Sequence, residues 1–214
     1  FSDDDATWTQ KDVTNEFHYP TFSGEWCSVR SIATHPTYSN LILVGNNSGI
    51  RISTNAGDAQ PTFFNAIGGG SNVSDVQFTS DGKEAWAACG GRLYKSTDEV
   101  NNFQTFTQLS PITSSRAQIA ISKVDASGNY TIYASFTNFP AGCLVGVYKS
   151  TDKGLNWTQI AFAGGLDPFA QPTGGVTASC QGWYDHCIAV NPVDKDKIYI
   201  GGITFYTWGA GSGG

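Results

Sequence analysis

Residues 150–157, Ser-Thr-Asp-Lys-Gly-Leu-Asn-Trp, constrain this chain more than any other stretch. They lie between two short runs rich in β-branched and aromatic residues, Val-Tyr-Lys at 147–149 and Thr-Gln-Ile at 158–160. Two such runs joined by Asp-Lys-Gly turn chemistry form a β-hairpin. Ser150 and Asp152 can bond back onto the turn, and Gly154 takes the positive φ that other residues avoid. Trp157 can cover the hairpin's apolar underside.

Weaker versions recur. Ser53, Asn55 and Gly57 keep the pattern with Asn for Asp, and Gln60 falls at the Trp position. Ser96, Asp98 and Phe103 keep Ser and Asp, lose the Gly, and place Phe where Trp stood. A fourth trace, Asp3 with Trp8, stands at the start. Ser53 and Ser96 are 43 residues apart, and Ser96 and Ser150 are 54 apart. These steps are close to the roughly 40–50 residues of one propeller blade. The extra length of the second step falls in an insert at 136–144.

The Ser-x-Asp-x-Gly-x-x-Trp pattern resembles the Asp-box, or BNR repeat, of sialidases, sortilin-like receptors and secreted bacterial β-propellers. The stretch Gly-Trp-Tyr-Asp at 182–185, ahead of Ile-Ala-Val-Asn-Pro at 188–192, is similar to a phrase of Asp-box propellers exported by gliding-type bacteria. The resemblance implies a structural role for the box residues at the outer edge of each blade, and export by a type IX secretion system.

From residue 27 the chain repeats one order: an alternating inner strand, a polar turn, a short apolar strand, a strand entering the motif and a less regular fourth strand. Three residues before each motif serine stands an apolar residue, Ile50, Leu93 or Val147, as a core-facing site in a repeated sheet requires. The expected fold is therefore all-β, a β-propeller of four-stranded antiparallel blades. About three blades are complete, at 27–64, 71–109 and 116–162, with partial blades at 1–13 and 182–208. The whole of 1–214 is expected to be part of a single propeller domain, with its remaining blades supplied by further sequence. With 25 Gly, 13% aromatic and only 14% charged residues, composition suits turn-rich strands better than helices.

Net charge is −6 and the 12 basic residues are scattered, which gives no surface for nucleic acid. No apolar run approaches the roughly 20 residues of a membrane-spanning helix. The five cysteines form no Cys-x-x-Cys pair, so neither a metal nor a cofactor is expected. A disulfide between Cys180 and Cys187, or between Cys143 and Cys180, would suit an exported protein, whereas Cys89 reads as a buried thiol. His35 reads as a turn cap.

The most suggestive chemistry lies in 181–187, where strict strand alternation would put Trp183, Asp185 and Cys187 on one face and Tyr184 and His186 on the other. Asp185 and His186 are the candidate catalytic residues, as acid, base or ligand. The sialidase arginine cluster has no clear counterpart among Arg30, Arg51, Arg92 and Arg116. The expected function is a non-catalytic propeller segment of a large secreted or cell-surface bacterial protein that binds protein or glycan on its face and meets the secretion machinery during export. The alternative is a sialidase-like or xyloglucanase-like glycoside hydrolase with part of its site elsewhere.

Overall fold

The computed structural model describes residues 28–58, 61–66, 68, 70–162, 167–170 and 180–209. The expected partial blade at 1–13, with Asp3 and Trp8, lies outside the described residues, as do Cys27 and Gln60.

Among the described residues fifteen strands form four antiparallel sheets of consecutive strands. The first sheet holds β1 (Ser31–Thr34), β2 (Ile42–Gly45), β3 (Ile50–Ser53) and β4 (Phe64–Asn65). The second holds β5 (Val73–Phe78), β6 (Ala85–Cys89), β7 (Arg92–Ser96) and β8 (Thr107–Gln108). The third holds β9 (Arg116–Ile121), β10 (Ile132–Thr137), β11 (Leu144–Ser150) and β12 (Thr158–Phe162). The fourth holds β13 (Cys187–Val190), β14 (Ile198–Gly201) and β15 (Phe205–Trp208). Among the described residues the only helix is one 3-10 turn, Glu99–Asn101.

The first strands of successive sheets stand side by side, β1 against β5, β5 against β9 and β9 against β13. The sheets therefore fan about a shared axis, as in a propeller, and among the described residues they do not close into a ring.

The core lies between sheets rather than within one, and strand alternation explains why. On β6, Ala85, Ala87 and Cys89 pack with Leu43 and Ile52 of the first sheet, while Trp86 and Ala88 pack with Ile119 and Ile132 of the third. On β10, Ile132, Ala134 and Phe136 face the second sheet. Tyr133 faces Ile198 and Ile200 of the fourth. Trp86 and Tyr133 are both 0% exposed, and burying a side chain of this size contributes on the order of 2–3 kcal/mol. Ile50, Leu93 and Val147 are buried, as their shared place before the motif requires.

The fourth strand of the second sheet is only two residues, whereas that of the third is five. Phe103 belongs to no strand; it follows the 3-10 turn at φ +60° and is fully buried. In the fourth sheet Trp208 pairs with Ile198, in the register where Ser150 pairs with Ile132, so that blade has an indole in the place of the motif serine.

Candidate functional site

At the hairpin tip, Ser150 Oγ donates to Asp152 Oδ1 at 2.8 Å and accepts from Gly154 N at 2.9 Å. Asp152 in turn accepts from Asn156 N at 2.8 Å and Asn156 Nδ2 at 2.7 Å. The backbone and side-chain donors of Asn156, with Ser150, hold the Asp152 carboxyl down to about 2. Its oxygens are engaged by its own turn. Gly154 sits at φ +85°, and Trp157 Nε1 donates to Gly154 O at 3.0 Å and to Leu109 O of the preceding sheet at 3.1 Å. Trp157 is only half-buried and meets Trp86 edge to face at 6.4 Å, so it seals a seam between sheets rather than lying beneath its own hairpin.

The degenerate copies keep part of this geometry. Ser53 Oγ donates to Asn55 Oδ1 at 3.1 Å, and Asn55 Oδ1 also accepts from Thr62 N at 2.9 Å. Gly57 occupies the turn, close to Asn40. Ser96 Oγ accepts from Asp98 N at 3.3 Å, and Asp98 Oδ1 accepts from Asn101 Nδ2 at 2.8 Å. Without the motif glycine, this turn is closed by Asn102 and Phe103, both at positive φ.

A second set of polar residues, not singled out in the sequence, stitches the axial strands. Asp75 on β5 is 8% exposed. It accepts from Ser31 Oγ of the first sheet at 3.1 Å, from Gln77 Nε2 at 3.2 Å and from Ile119 N of the third sheet at 3.1 Å. Burial pushes its carboxyl up to about 6, against the pull of these donors. Ser74 Oγ donates to Ala117 O at 2.6 Å, and Gln118 Nε2 to Ser74 O at 3.0 Å. One signal could have found them: Ser31, Asp75 and Ile119 follow one another at steps of 44 residues. His35 caps its turn as expected, with Nδ1 accepting from Thr37 N and Tyr38 N. Its Nε2–H then donates to Gly82 O of the next sheet at 2.9 Å.

The stretch 181–187 departs from strict alternation. β13 begins only at Cys187, and the residues before it form a turn in which Tyr184 N and Asp185 N both donate to Gln181 O. Trp183 and Tyr184 are consequently both exposed, with ring centroids 5.7 Å apart. Asp185 is half-buried. His186 is buried, its ring edge-on to Phe169 at 4.7 Å and its Nε2 2.6 Å from Ser135 Oγ of β10. Burial, with the Arg116 charge beside it, pushes the imidazole down to about 3, so the ring is neutral at physiological pH. Ser135 is fully buried, and this Ser–His pair joins the third and fourth sheets inside the core.

Cys180 is bonded to Cys143 in the insert, with Cα atoms 4.9 Å apart. Cys187 is a free, exposed thiol, which corrects the expected Cys180–Cys187 pairing in favour of the other one. The physical reason is the insert's approach: Gly182 N donates to Gly142 O at 2.8 Å, bringing the two segments into backbone contact. Gly142 is at φ +73°, and a β-carbon there would lie 2.6 Å from Trp183. Cys143, Cys180 and Asp167 cluster at metal-ligand distances, but both sulfurs are spent in the disulfide. Cys89 is a buried free thiol, pushed up to about 12 by burial.

Arg116 closes this surface. Its Nη1 donates to Trp183 O at 3.0 Å, and its charge is offset by Asp75 and opposed by Arg30.

These observations define an all-β protein of the β-propeller type, with a disulfide-tied aromatic surface at the leading end of its axial strands. No model of a known protein family matches the chain, and no curated protein matches it. Among solved structures it is similar to an Agrobacterium tumefaciens protein assigned as TolB, with TM-score 0.55, 12% identity, and 86% of this chain and 59% of that one covered. It is also similar to Saccharomyces cerevisiae Sqt1, with TM-score 0.50, 15% identity and coverage of 81% and 42%. Hydrazine synthase of Kuenenia stuttgartiensis gives TM-score 0.50, 13% identity and coverage of 79% and 42%. The likeness is one of fold, and the chain spans between 42% and 59% of the length of these structures.

Proposed function

We propose that this chain is a non-catalytic Asp-box β-propeller segment of a large secreted or cell-surface bacterial protein, cargo of a type IX secretion system, that presents a protein- or glycan-binding surface. One observation carries the binding reading: three large aromatic side chains are exposed at the leading end of the axial strands. Phe139, Trp183 and Tyr184 are 75%, 54% and 71% exposed, on segments held by the Cys143–Cys180 disulfide. Exposed rings on a fixed scaffold suit recognition. Of the acids and bases, Asp152 is engaged in its turn, Asp75 between strands and His186 in the core. The disulfide supports an oxidising compartment. The box resemblance supports the export route.

The test pairs turnover with binding. A panel of sialosides and xyloglucan should be left unhydrolysed, while immobilised glycans and cell-surface proteins are assayed for retention of the wild type and of Trp183→Ala/Tyr184→Ala. Retention lost in the double variant is the expected result. Hydrolysis that disappears in Asp185→Asn with the fold intact would establish the glycoside hydrolase instead.

A further inference from the structure

Arg30 immediately precedes β1 in the first sheet and Arg116 opens β9 in the third, and these two strands converge on one carboxylate, since Ser31 Oγ and Ile119 N both donate to Asp75; burial, with the Arg30 charge, lowers the Arg116 pKa. Two guanidinium groups from sheets two apart can interact in this way because the axial strands bring them to the same end of the axis. Among the described residues neither forms an ion pair with a carboxylate. The acid that offsets Arg116 is Asp75, whose oxygens already accept from Ser31, Gln77 and Ile119. Nε of Arg116 and Nδ1 of His186 are buried with no hydrogen-bond partner among the described residues, and His186 is only 8% exposed. A buried polar nitrogen left unpaired is costly unless a ligand or water completes it.

We infer that this mouth is a receptor site for an acidic glycan, in which Arg116 and Arg30 take a uronate carboxylate and Trp183 offers its face to the sugar ring. The inference rests on the binding-surface reading above and names its ligand class. A guanidinium fork matches a carboxylate in two parallel hydrogen bonds, which a neutral sugar does not supply. Arg116 is tethered to Trp183 O by Nη1, so charge and ring are held in one place. The surface is less suited to an acidic peptide, because the nearby backbone is occupied: Trp183 O accepts from Arg116, and Tyr184 N and Asp185 N donate to Gln181 O. Strand addition needs free backbone groups, whereas a pyranose needs only a ring to stack on.

The experiment is calorimetric titration of the protein with a short oligogalacturonate, its fully methyl-esterified counterpart and polyglutamate, with circular dichroism to confirm that each variant is folded. The acid form should bind, and the ester at least tenfold more weakly. Arg116→Gln, Arg30→Gln and Trp183→Ala should each weaken the acid at least tenfold, with partial recovery in Arg116→Lys. Arg30 is exposed, so its variant decides the matter even if Arg116→Gln fails to fold. Equal binding of ester and acid would overturn the carboxylate assignment while leaving a glycan-binding face. Polyglutamate bound as tightly as oligogalacturonate and indifferent to Trp183→Ala would assign the site to an acidic peptide. No binding of oligogalacturonate to the folded wild type would overturn the inference, and the binding-surface reading would then stand or fall on retention in the Trp183→Ala/Tyr184→Ala comparison.

Discussion

Gly154 shows how one residue can be fixed from two directions. Its φ of +85° disfavours any β-carbon, and one placed there would lie 2.3 Å from the Trp86 ring of the neighbouring sheet. Gly154→Ala should therefore lower stability by about 2–4 kcal/mol, combining backbone strain with overpacking, as measured by urea denaturation. Asp152 has a different signature. Its folded-state carboxyl titrates at about 2, below its ordinary value of 3.8, so its stabilising bonds are complete above that value and lost as pH falls through the folded one. Carboxyl NMR titration should find that low midpoint in the wild type and a shift toward the ordinary value in Asn156→Ala. The sequence made these roles legible because turn chemistry is local: a serine, an acid and a glycine bond within five residues. Asp75, Arg116 and the His186–Ser135 pair were not legible as a group, since their partners lie 44 to 67 residues away and only the sheet order brings them together.

At the level of the strand and hairpin, the first three strands of each sheet and β12 follow from alternation and turn residues, whereas β8 does not. β4 and β8 are two residues each, and Phe103 enters the core from a turn. The turn at 182–185 defeats alternation because a backbone hydrogen-bonded onto Gln181 O no longer has period two. Trp157 bridges one sheet to the preceding one through Leu109 O and Trp86. Because it is half-buried, Trp157→Ala should cost about 2–3 kcal/mol, below the range for a fully buried indole. Chemical denaturation of the variant would show this, and an unchanged midpoint would mean that the seam is closed by other contacts.

For the molecule as a whole, the cohesion between sheets is both apolar and polar, and the polar part is sensitive to pH. Folded Asp75 keeps its proton to about pH 6, whereas an unfolded chain releases it near 3.8. Between these values the folded state binds more protons, so stability should fall as pH rises and level off above about 6. A two-unit difference corresponds to at most about 2–3 kcal/mol. Asp75→Asn, whose amide could donate to Ser31 Oγ, should flatten that slope in thermal melts recorded across the window. The propeller-type arrangement itself was legible from the spacing of Ser53, Ser96 and Ser150, because each sheet needs a neighbour on both sides to bury its alternating faces.

The Cys143–Cys180 bond spans 37 residues, from the insert of the third sheet to the approach of the fourth. A protease that cuts the chain once between these cysteines would leave two fragments still joined by sulfur. They should migrate as one band on a non-reducing gel and separate when reductant is added.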